Sequence, residues 1–233
     1  MFEGLKQKTF GEDAPTIVNA SEHHMACLFL VDTSGSMSGE PIRELTEGLN
    51  TFKQQVCEDK TTRDVLDVAI VEFNTNVQVI QPFIPVEYME PINLEARGGT
   101  NMGAALRVAI DMVDERYRFY RHTGTEPYCP WIVMITDGYP GDSIEGIAEE
   151  ILSLDQQDKM RLWSLAVQGA DTKLLNKLGH GKRVLTLKGY DFSKFFDWVN
   201  KSMRSISVSS PGEKARGEAL PENVDKAIDD DWM

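Results

Sequence analysis

The chain has 233 residues and a formal net charge of −13 at neutral pH, and 41% of its residues are hydrophobic. This length and apolar content are sufficient for one domain with a sizeable core. The negative charge argues against a nucleic-acid-binding protein, which needs a basic surface, and against docking on an anionic membrane. No apolar run approaches the roughly 20 residues of a membrane-spanning helix, so we expect neither nucleic acid nor membrane as a partner.

The first part of the chain gives weak structural signals. Residues 1–22 are polar and lack the apolar stretch of a secretory signal, so we interpret them as an amino-terminal extension. Cys27, Cys57 and Cys129 are few and far apart, which favours reduced thiols over a disulfide framework. We therefore expect a cytoplasmic protein in which Cys27 is a buried small hydrophobic residue.

Strand-like and helix-like patterns alternate from residue 25 onward. The run MACLFLV, residues 25–31, has the length of a buried strand. Residues 40–56 have helical periodicity, with one apolar face made of Ile42, Leu45, Leu49, Phe52 and Val56. Residues 64–74 and 77–86 predict two strands joined by a short turn, so one of them is antiparallel and lies at the sheet edge.

The second half of the chain continues the alternation. A helical face begins at Met102, and a buried strand is predicted for residues 130–138. The elements predicted after it are a helix at 143–157, a strand at 160–167, a helix at 172–178, a strand at 183–189 and a helix at 191–206. This order predicts an α/β, Rossmann-like doubly wound fold over residues 23–208, with a mainly parallel central sheet, one antiparallel edge strand and helices on both faces.

Two groups of charged residues receive ordinary structural interpretations. His23 and His24 precede the first strand and are interpreted as solvated side chains. Arg116, Arg118 and Arg121 lie near the end of a predicted helix, where positive charge favours the helix dipole, and are interpreted as a solvated face.

Oxygen-bearing side chains follow predicted strands in three loops. Asp32, Ser34 and Ser36 come from DTSGS, Thr100 from GGTN, and Asp137 from TDG. The carboxyl ends of parallel strands meet at one end of a sheet, where ligands bind in α/β folds. Two carboxylates and three hydroxyls suit a hard cation such as Mg²⁺ and disfavour zinc or copper.

D-x-S-x-S, GGT and TDG, in this order and at these strand ends, resemble the von Willebrand factor A domain and its metal-ion-dependent adhesion site. The resemblance covers roughly residues 24–205. It implies that the five residues hold Mg²⁺, with Mn²⁺ or Ca²⁺ as alternatives, the serines directly and the aspartates often through water. It also implies an open metal position that an Asp or Glu of a partner protein fills.

The stretch DTSGSMSGEPI further resembles the bacterial TerY-like proteins of tellurite-resistance and stress operons. That resemblance implies a role in a tellurium-resistance or stress-response system. It also implies protein kinase or phosphatase components as partners.

Other functions remain open at this point. A flavodoxin-like domain also binds phosphate or flavin after its first strand, but Asp32 would repel a phosphate, and no aromatic residue that could sandwich a flavin is obvious near these loops. A haloacid-dehalogenase-like phosphatase needs a second acidic residue where Ser34 stands. A serine nucleophile needs a histidine base, and no histidine clearly follows a strand at the predicted site. We therefore expect no enzymatic activity.

The segment from Ser209 to the last residue has seven acidic and three basic residues together with proline and glycine. This composition predicts an acidic, disordered tail over residues 209–233. One hypothesis is that Asp229, Asp230 or Asp231 occupies the open metal position, with Trp232 beside it, until a partner displaces it.

Overall fold

The computed structural model describes residues 22–210 and 218–227. Its strands, in chain order, are β1 (Met25–Asp32), β2 (Leu66–Phe73), β3 (Val77–Pro85), β4 (Trp131–Thr136), β5 (Arg161–Ala166), β6 (Val184–Leu187) and β7 (Val224–Lys226). Within the described residues the α-helices are α1 (Glu40–Glu58), α2 (Lys60–Val65), α3 (Met102–His122), α4 (Ile147–Gln156), α5 (Thr172–Leu178) and α6 (Ser193–Ser207). None of these helices is long and apolar enough to span a membrane.

The strands form one sheet in the order β3-β2-β1-β4-β5-β6-β7. The five central strands are parallel, whereas β3 and β7 pair antiparallel with their neighbours at the two edges. The predicted doubly wound, mainly parallel fold with an antiparallel strand at its β3 edge is therefore confirmed. A second antiparallel edge strand, β7, was not predicted.

Helices cover both faces of the sheet because the side chains of β1 alternate between two apolar clusters. Phe29 points to the cluster that contains α1 and α6, where its ring lies 5.1 Å from Phe52 and 5.6 Å from Phe196 between centroids. Leu28 and Leu30 point to the other cluster, which contains α3, α4 and α5. Burying each such side chain contributes about 1.5–3 kcal/mol. Cys27 is fully buried in the first cluster, as predicted.

The carboxyl-terminal region corrects the prediction of disorder beyond Ser209. Residues 218–227 are ordered, and Val224 lies buried where β7 pairs with β6. The indole Nε1 of Trp198 donates a hydrogen bond to the carbonyl of Glu218 at 3.1 Å, which ties this segment to α6. A three-residue strand is too short to show a period of two, and its polar composition concealed it. The remaining residues of the predicted tail, including Asp229, Asp230, Asp231 and Trp232, lie outside the described residues.

The interpretation of His24 and Arg116 as solvated side chains is wrong, because both are only 1% exposed. Arg116 on α3 donates a hydrogen bond to Asp67 Oδ2 at 2.6 Å, and Tyr120 donates to the same oxygen. His24 Nδ1 lies 3.6 Å from that carboxylate. The guanidinium needs this partner because an unpaired buried charge is strongly destabilising. The group lies at the amino end of the sheet, since Asp67 is the second residue of β2.

Candidate metal site

The first two residues of the predicted site meet where β1 and β4 end. The two strands are parallel neighbours, with Val31 opposite Ile135, so that Asp32 and Thr136 come side by side at the carboxyl end of the sheet. The Thr136 hydroxyl donates a hydrogen bond to Asp32 Oδ2 at 2.6 Å. The Asp32 side chain is completely buried, and its other oxygen accepts the backbone N–H of Ser34 at 2.8 Å.

A chain of hydroxyls joins the first loop to the loop after β4. The Ser34 and Ser36 Oγ atoms lie 3.0 Å apart. The Ser36 hydroxyl donates to Asp137 Oδ1 at 2.8 Å. The two loops meet only in the folded protein, because 101 residues separate Ser36 from Asp137. Ser34 is buried and Ser36 is exposed, so the hydroxyl chain runs from the interior to the surface.

Thr100 completes the predicted set. Its carbonyl accepts the backbone N–H of Gly141 at 2.6 Å, which joins the GGTN loop to the loop after β4. A Cβ placed on Gly138 would lie 3.3 Å from Thr100 Oγ1 and 3.4 Å from Asp32 Oδ2. Gly138 therefore leaves room for the Thr100 and Asp32 oxygens to approach each other. The structure thus brings Asp32, Ser34, Ser36, Thr100 and Asp137 together.

Sequence analysis missed the residues that hold these loops in place. The turn between β2 and β3 supports both of the first two loops: Asn74 Nδ2 donates to Thr33 Oγ1 at 2.9 Å, and Thr75 Oγ1 accepts the N–H of Gly99 at 2.8 Å. The turn looked like an ordinary hairpin connection, and nothing in its local sequence shows that it contacts residues about 25 positions later. Thr136 was treated as part of a strand, although its hydroxyl orients Asp32.

Asp142 was also missed, and it couples the third loop to a helix. Its two carboxylate oxygens accept the backbone N–H groups of Gly103 and Ala104 at 2.8 and 2.7 Å. These N–H groups belong to the first turn of α3, where backbone N–H groups have no hydrogen-bond acceptor within their own helix. A Cβ on Gly103 would lie 2.2 Å from the carbonyl oxygen of Ser143, so only glycine allows this approach.

The electrostatics of the site are those of two carboxylates without a protein cation. Burial raises the pKa of the Asp32 carboxyl above its ordinary value, the Asp137 charge adds to the rise, and hydrogen bonds from Thr136 and Ser34 oppose it. Burial also raises the pKa of Asp137, against the Ser36 hydrogen bond. Among the described residues no Lys, Arg or His nitrogen lies within 4.0 Å of either carboxylate.

The donor set therefore fits a hard divalent cation. Buried carboxylates are normally paired or coordinate a metal, and this pair has no cationic side chain nearby. Hydroxyl and carboxylate oxygens are suitable ligands for Mg²⁺, which keeps several waters when few carboxylates bind it. In the described part of the chain no three His, Cys, Asp or Glu side chains form a cluster that could hold a metal. The two carboxylates and three hydroxyls brought together at this end of the sheet remain the candidate ligands.

The geometry of the site gives little support to two alternative functions, a serine nucleophile with a histidine base and a phosphate- or flavin-binding domain. His23, His24 and His122 lie in segments at the amino end of the sheet, and His180 Nε2 lies 2.8 Å from the carbonyl oxygen of Ala148. The Ser34 and Ser36 hydroxyls contact each other and Asp137 rather than a histidine. Two carboxylates at the loops repel a phosphate. The sequence analysis found no obvious aromatic residue near these loops, but the exposed Tyr139 does lie in the loop after β4.

Comparisons with known proteins identify the family and the fold. A sequence model of the family described as the von Willebrand factor type A domain matches residues 27–205. The chain is 28% identical over 121 residues to inter-alpha-trypsin inhibitor heavy chain H4 of Homo sapiens, which covers 48% of the chain and 12% of that protein.

Two solved structures show the same fold at low sequence identity. A von Willebrand factor type A protein from Catenulispora acidiphila superposes with a TM-score of 0.61 at 15% identity, covering 78% of this chain and 43% of that one. Proximal thread matrix protein 1 of the mussel byssus, in a form with a zinc-occupied metal-ion-dependent adhesion site, gives a TM-score of 0.51 at 17% identity, covering 82% and 46%. The chain thus spans about an eighth of heavy chain H4 and less than half of each of these two structures.

Proposed function

The chain belongs to the von Willebrand factor type A family, and we propose that it is a metal-dependent protein-interaction module. In this proposal Asp32, Ser34, Ser36, Thr100 and Asp137 hold a divalent cation at the carboxyl end of the sheet. An Asp or Glu side chain of a partner protein then binds to the cation.

One observation carries the proposal. Asp32 is completely buried, the Asp137 carboxylate stands in the same group of side chains, and no described side chain supplies a compensating positive charge. A bound cation supplies that charge. Because only two carboxylates are present, a divalent ion there retains attraction for one more carboxylate, which a partner protein brings.

The protein's own residues have distinct roles in the proposal. Ser34, Ser36 and Thr100 offer hydroxyl oxygens as neutral ligands. Asp32 is held by Thr136 and by the Ser34 N–H, so its orientation is determined before any ion arrives. This preorganisation reduces the entropy lost when the ion binds.

The wider context is also part of the proposal. The resemblance of the DTSGSMSGEPI stretch to TerY-like proteins supports a bacterial tellurite-resistance or stress-response system, with kinase or phosphatase components as partners. Mg²⁺ is the cation we favour because it is the abundant hard cation of cells, and Mn²⁺ or Ca²⁺ has the same ligand preferences. We further propose that the protein is cytoplasmic and not an enzyme.

Metal binding and carboxylate binding are tested separately. Calorimetric titration of chelator-treated protein with Mg²⁺ or Mn²⁺ should show one site that Ser36→Ala weakens and Asp137→Ala abolishes. Ser38→Ala is the matched control, since Ser38 is an exposed serine of the same loop and does not belong to the predicted ligand set. Unchanged affinity in Asp137→Ala would refute the assignment of the site.

The relaxation of water protons by bound Mn²⁺ then reports the open position. Sodium acetate should displace water from the ion and lower the relaxation, whereas sodium chloride at the same ionic strength should not. If the two salts give the same result while Mn²⁺ stays bound, the site binds metal but does not take a carboxylate.

A further inference from the structure

Three large hydrophobic side chains are strongly exposed in the part of the chain that the structure describes: Tyr88 at 57%, Tyr139 at 66% and Val208 at 71%. Tyr88 follows β3 and Val208 follows α6, and both of these elements end at the amino end of the sheet. Tyr139 alone among the three stands at the carboxyl end, two residues after Asp137. A single exposed aromatic residue is unremarkable in itself, but its position beside the site is informative.

The loop that carries Tyr139 is fixed on both sides. Before it, the Gly138 N–H donates to Thr136 Oγ1 at 3.1 Å, and that hydroxyl binds Asp32. After it, the Gly141 N–H donates to the Thr100 carbonyl at 2.6 Å. Pro140 between them restricts the backbone further. Tyr139 is therefore presented from a short segment that is attached to residues of the site itself.

Tyr139 must lie close to Asp137, because only one residue separates them in the chain. Successive Cα atoms are 3.8 Å apart, so the Cα atoms of Tyr139 and Asp137 are separated by at most about 7.6 Å. Adjacent residues of a partner segment are likewise only about 3.8 Å apart between Cα atoms, so both come within this range of the site. A partner segment whose carboxylate reaches the cation thus brings its adjacent residue near the Tyr139 ring.

We propose that Tyr139 is a second, specificity-determining contact of the docking site, which packs against a large apolar side chain directly next to the partner's Asp or Glu. This inference rests on the proposed function. A carboxylate alone identifies no partner, because nearly every protein surface carries many. An aromatic ring that offers a large apolar area with little side-chain entropy to lose is typical of residues that discriminate between partners.

The charge around the site favours an apolar neighbour over an acidic one. Glu40 begins α1 directly after the first loop, and Glu145 lies in the loop after β4; both are exposed. The exposed Arg97 beside the first loop is already paired with Glu72 and Glu95. The chain as a whole has a net charge of −13. A partner segment with several adjacent carboxylates would be repelled, whereas one acidic residue beside an apolar residue uses both the cation and Tyr139.

Capped hexapeptides test the inference with defined probes. GSFESG and GSEFSG each place an aromatic residue next to one glutamate, GSSESG has serine in its place, and GSFQSG lacks the carboxylate. Binding is followed by chemical-shift titration of the isotopically labelled full chain in millimolar Mg²⁺ and in EDTA. We expect at least one Phe-Glu peptide to bind the wild type about tenfold more tightly than GSSESG, in Mg²⁺ only.

Substitutions assign that preference to one residue. Tyr139→Ser should bind the Phe-Glu peptide and GSSESG equally, and Tyr139→Phe should retain the preference, because the ring and not the hydroxyl makes the contact. Tyr88→Ser is the matched control, because Tyr88 is also an exposed tyrosine but lies at the other end of the sheet, and it should behave as the wild type. The Mg²⁺ affinity should be the same in all four proteins.

The outcomes separate this inference from the proposed function. If GSSESG and both Phe-Glu peptides bind the wild type equally in Mg²⁺, or if Tyr139→Ser keeps the preference, then Tyr139 is not a specificity contact and the metal-dependent module still stands. If no glutamate peptide binds in Mg²⁺, or if GSFQSG binds as well as GSFESG, carboxylate docking at the cation is refuted, and the inference is refuted with it.

Discussion

The structure contains two buried aspartates that should respond in opposite ways to the same substitution. Asp32 is completely buried at the carboxyl end of the sheet without a cationic side chain, whereas Asp67 is 1% exposed at the amino end and receives hydrogen bonds from Arg116 and Tyr120. Replacing each with asparagine keeps the shape and removes the charge. If the site holds a cation, Asp32→Asn should abolish the response to metal, and Asp67→Asn should leave that response intact.

The size of the metal response follows from mass action. A ligand present at one hundred times its Kd stabilises the folded state by about 2.7 kcal/mol. The described part of the chain has about 200 residues, and for that size 1 kcal/mol shifts Tm by roughly 2–4 °C. Saturating Mg²⁺ should therefore raise the Tm of the wild type by about 5–10 °C, and the Tm of Asp32→Asn by nothing measurable.

The metal-free proteins provide the complementary measurement. Without a cation the Asp32 charge is buried and uncompensated, so its removal should change the free energy of unfolding by about 1 kcal/mol or less, or even increase it. Asn at this position keeps an oxygen for the Ser34 N–H. Asp67→Asn leaves the Arg116 guanidinium buried without its counter-ion and should lower the stability by about 3–5 kcal/mol.

Urea unfolding followed by tryptophan fluorescence, in EDTA and in Mg²⁺, measures both quantities for the three proteins. A normal Mg²⁺ response in Asp32→Asn would refute the site. So would a loss of several kcal/mol by Asp32→Asn in EDTA, since it would show that the Asp32 charge is already compensated by the protein itself.

Three further outcomes test other parts of the structure. Burial raises the pKa of Asp67, but a hydrogen bond from His24 and the Arg116 charge outweigh burial, so the net pKa is lowered. The ionised Asp67 therefore stabilises the fold above its unfolded pKa, and this stabilisation is lost as pH falls through its folded pKa. Arg116→Met should move the acid-unfolding midpoint to higher pH, and an unchanged midpoint would contradict the pairing. Gly103→Ala should weaken Mg²⁺ binding and lower stability through its clash at the third loop, although helix propensity alone predicts a gain of about 1 kcal/mol; calorimetry and melting distinguish the two. Val224→Asp should destabilise the protein by about 2 kcal/mol or more because Val224 is buried in β7, whereas a disordered tail would show no effect in urea unfolding.

Much of the fold was predictable because the strands β1 and β4 are continuous apolar runs and the helices α1 and α3 have clear apolar faces. The five residues of the candidate site were predictable for a related reason: each lies directly after such a strand or just before such a helix, where topology alone brings loops together. The supporting contacts of Asn74, Thr75 and Asp142 were not predictable, because they join loops through side chains whose local sequences resemble ordinary turns. The burial of Arg116 was missed because a helix position near the carboxyl terminus explains an arginine equally well without a buried partner.

The direction of β7 bears on the hypothesis that Asp229, Asp230 or Asp231 fills the open metal position of its own domain. These residues lie outside the described part of the chain, but Ala227 does not. Its N–H donates to the carbonyl of Val184, so the chain leaves β7 beside the first residue of β6, which pairs with the middle of β5. Four strand intervals, or about 19 Å, separate β7 from β1. The register places Val184 level with Leu30, two residues or about 7 Å before Asp32 along the strand direction. Four residues beyond Ala227 span at most about 14 Å, against a separation of about 20 Å from Asp32, so with β7 paired the hypothesis requires a fully extended segment. A carboxylate supplied by another molecule has no such requirement, which favours the proposed module for binding partner proteins.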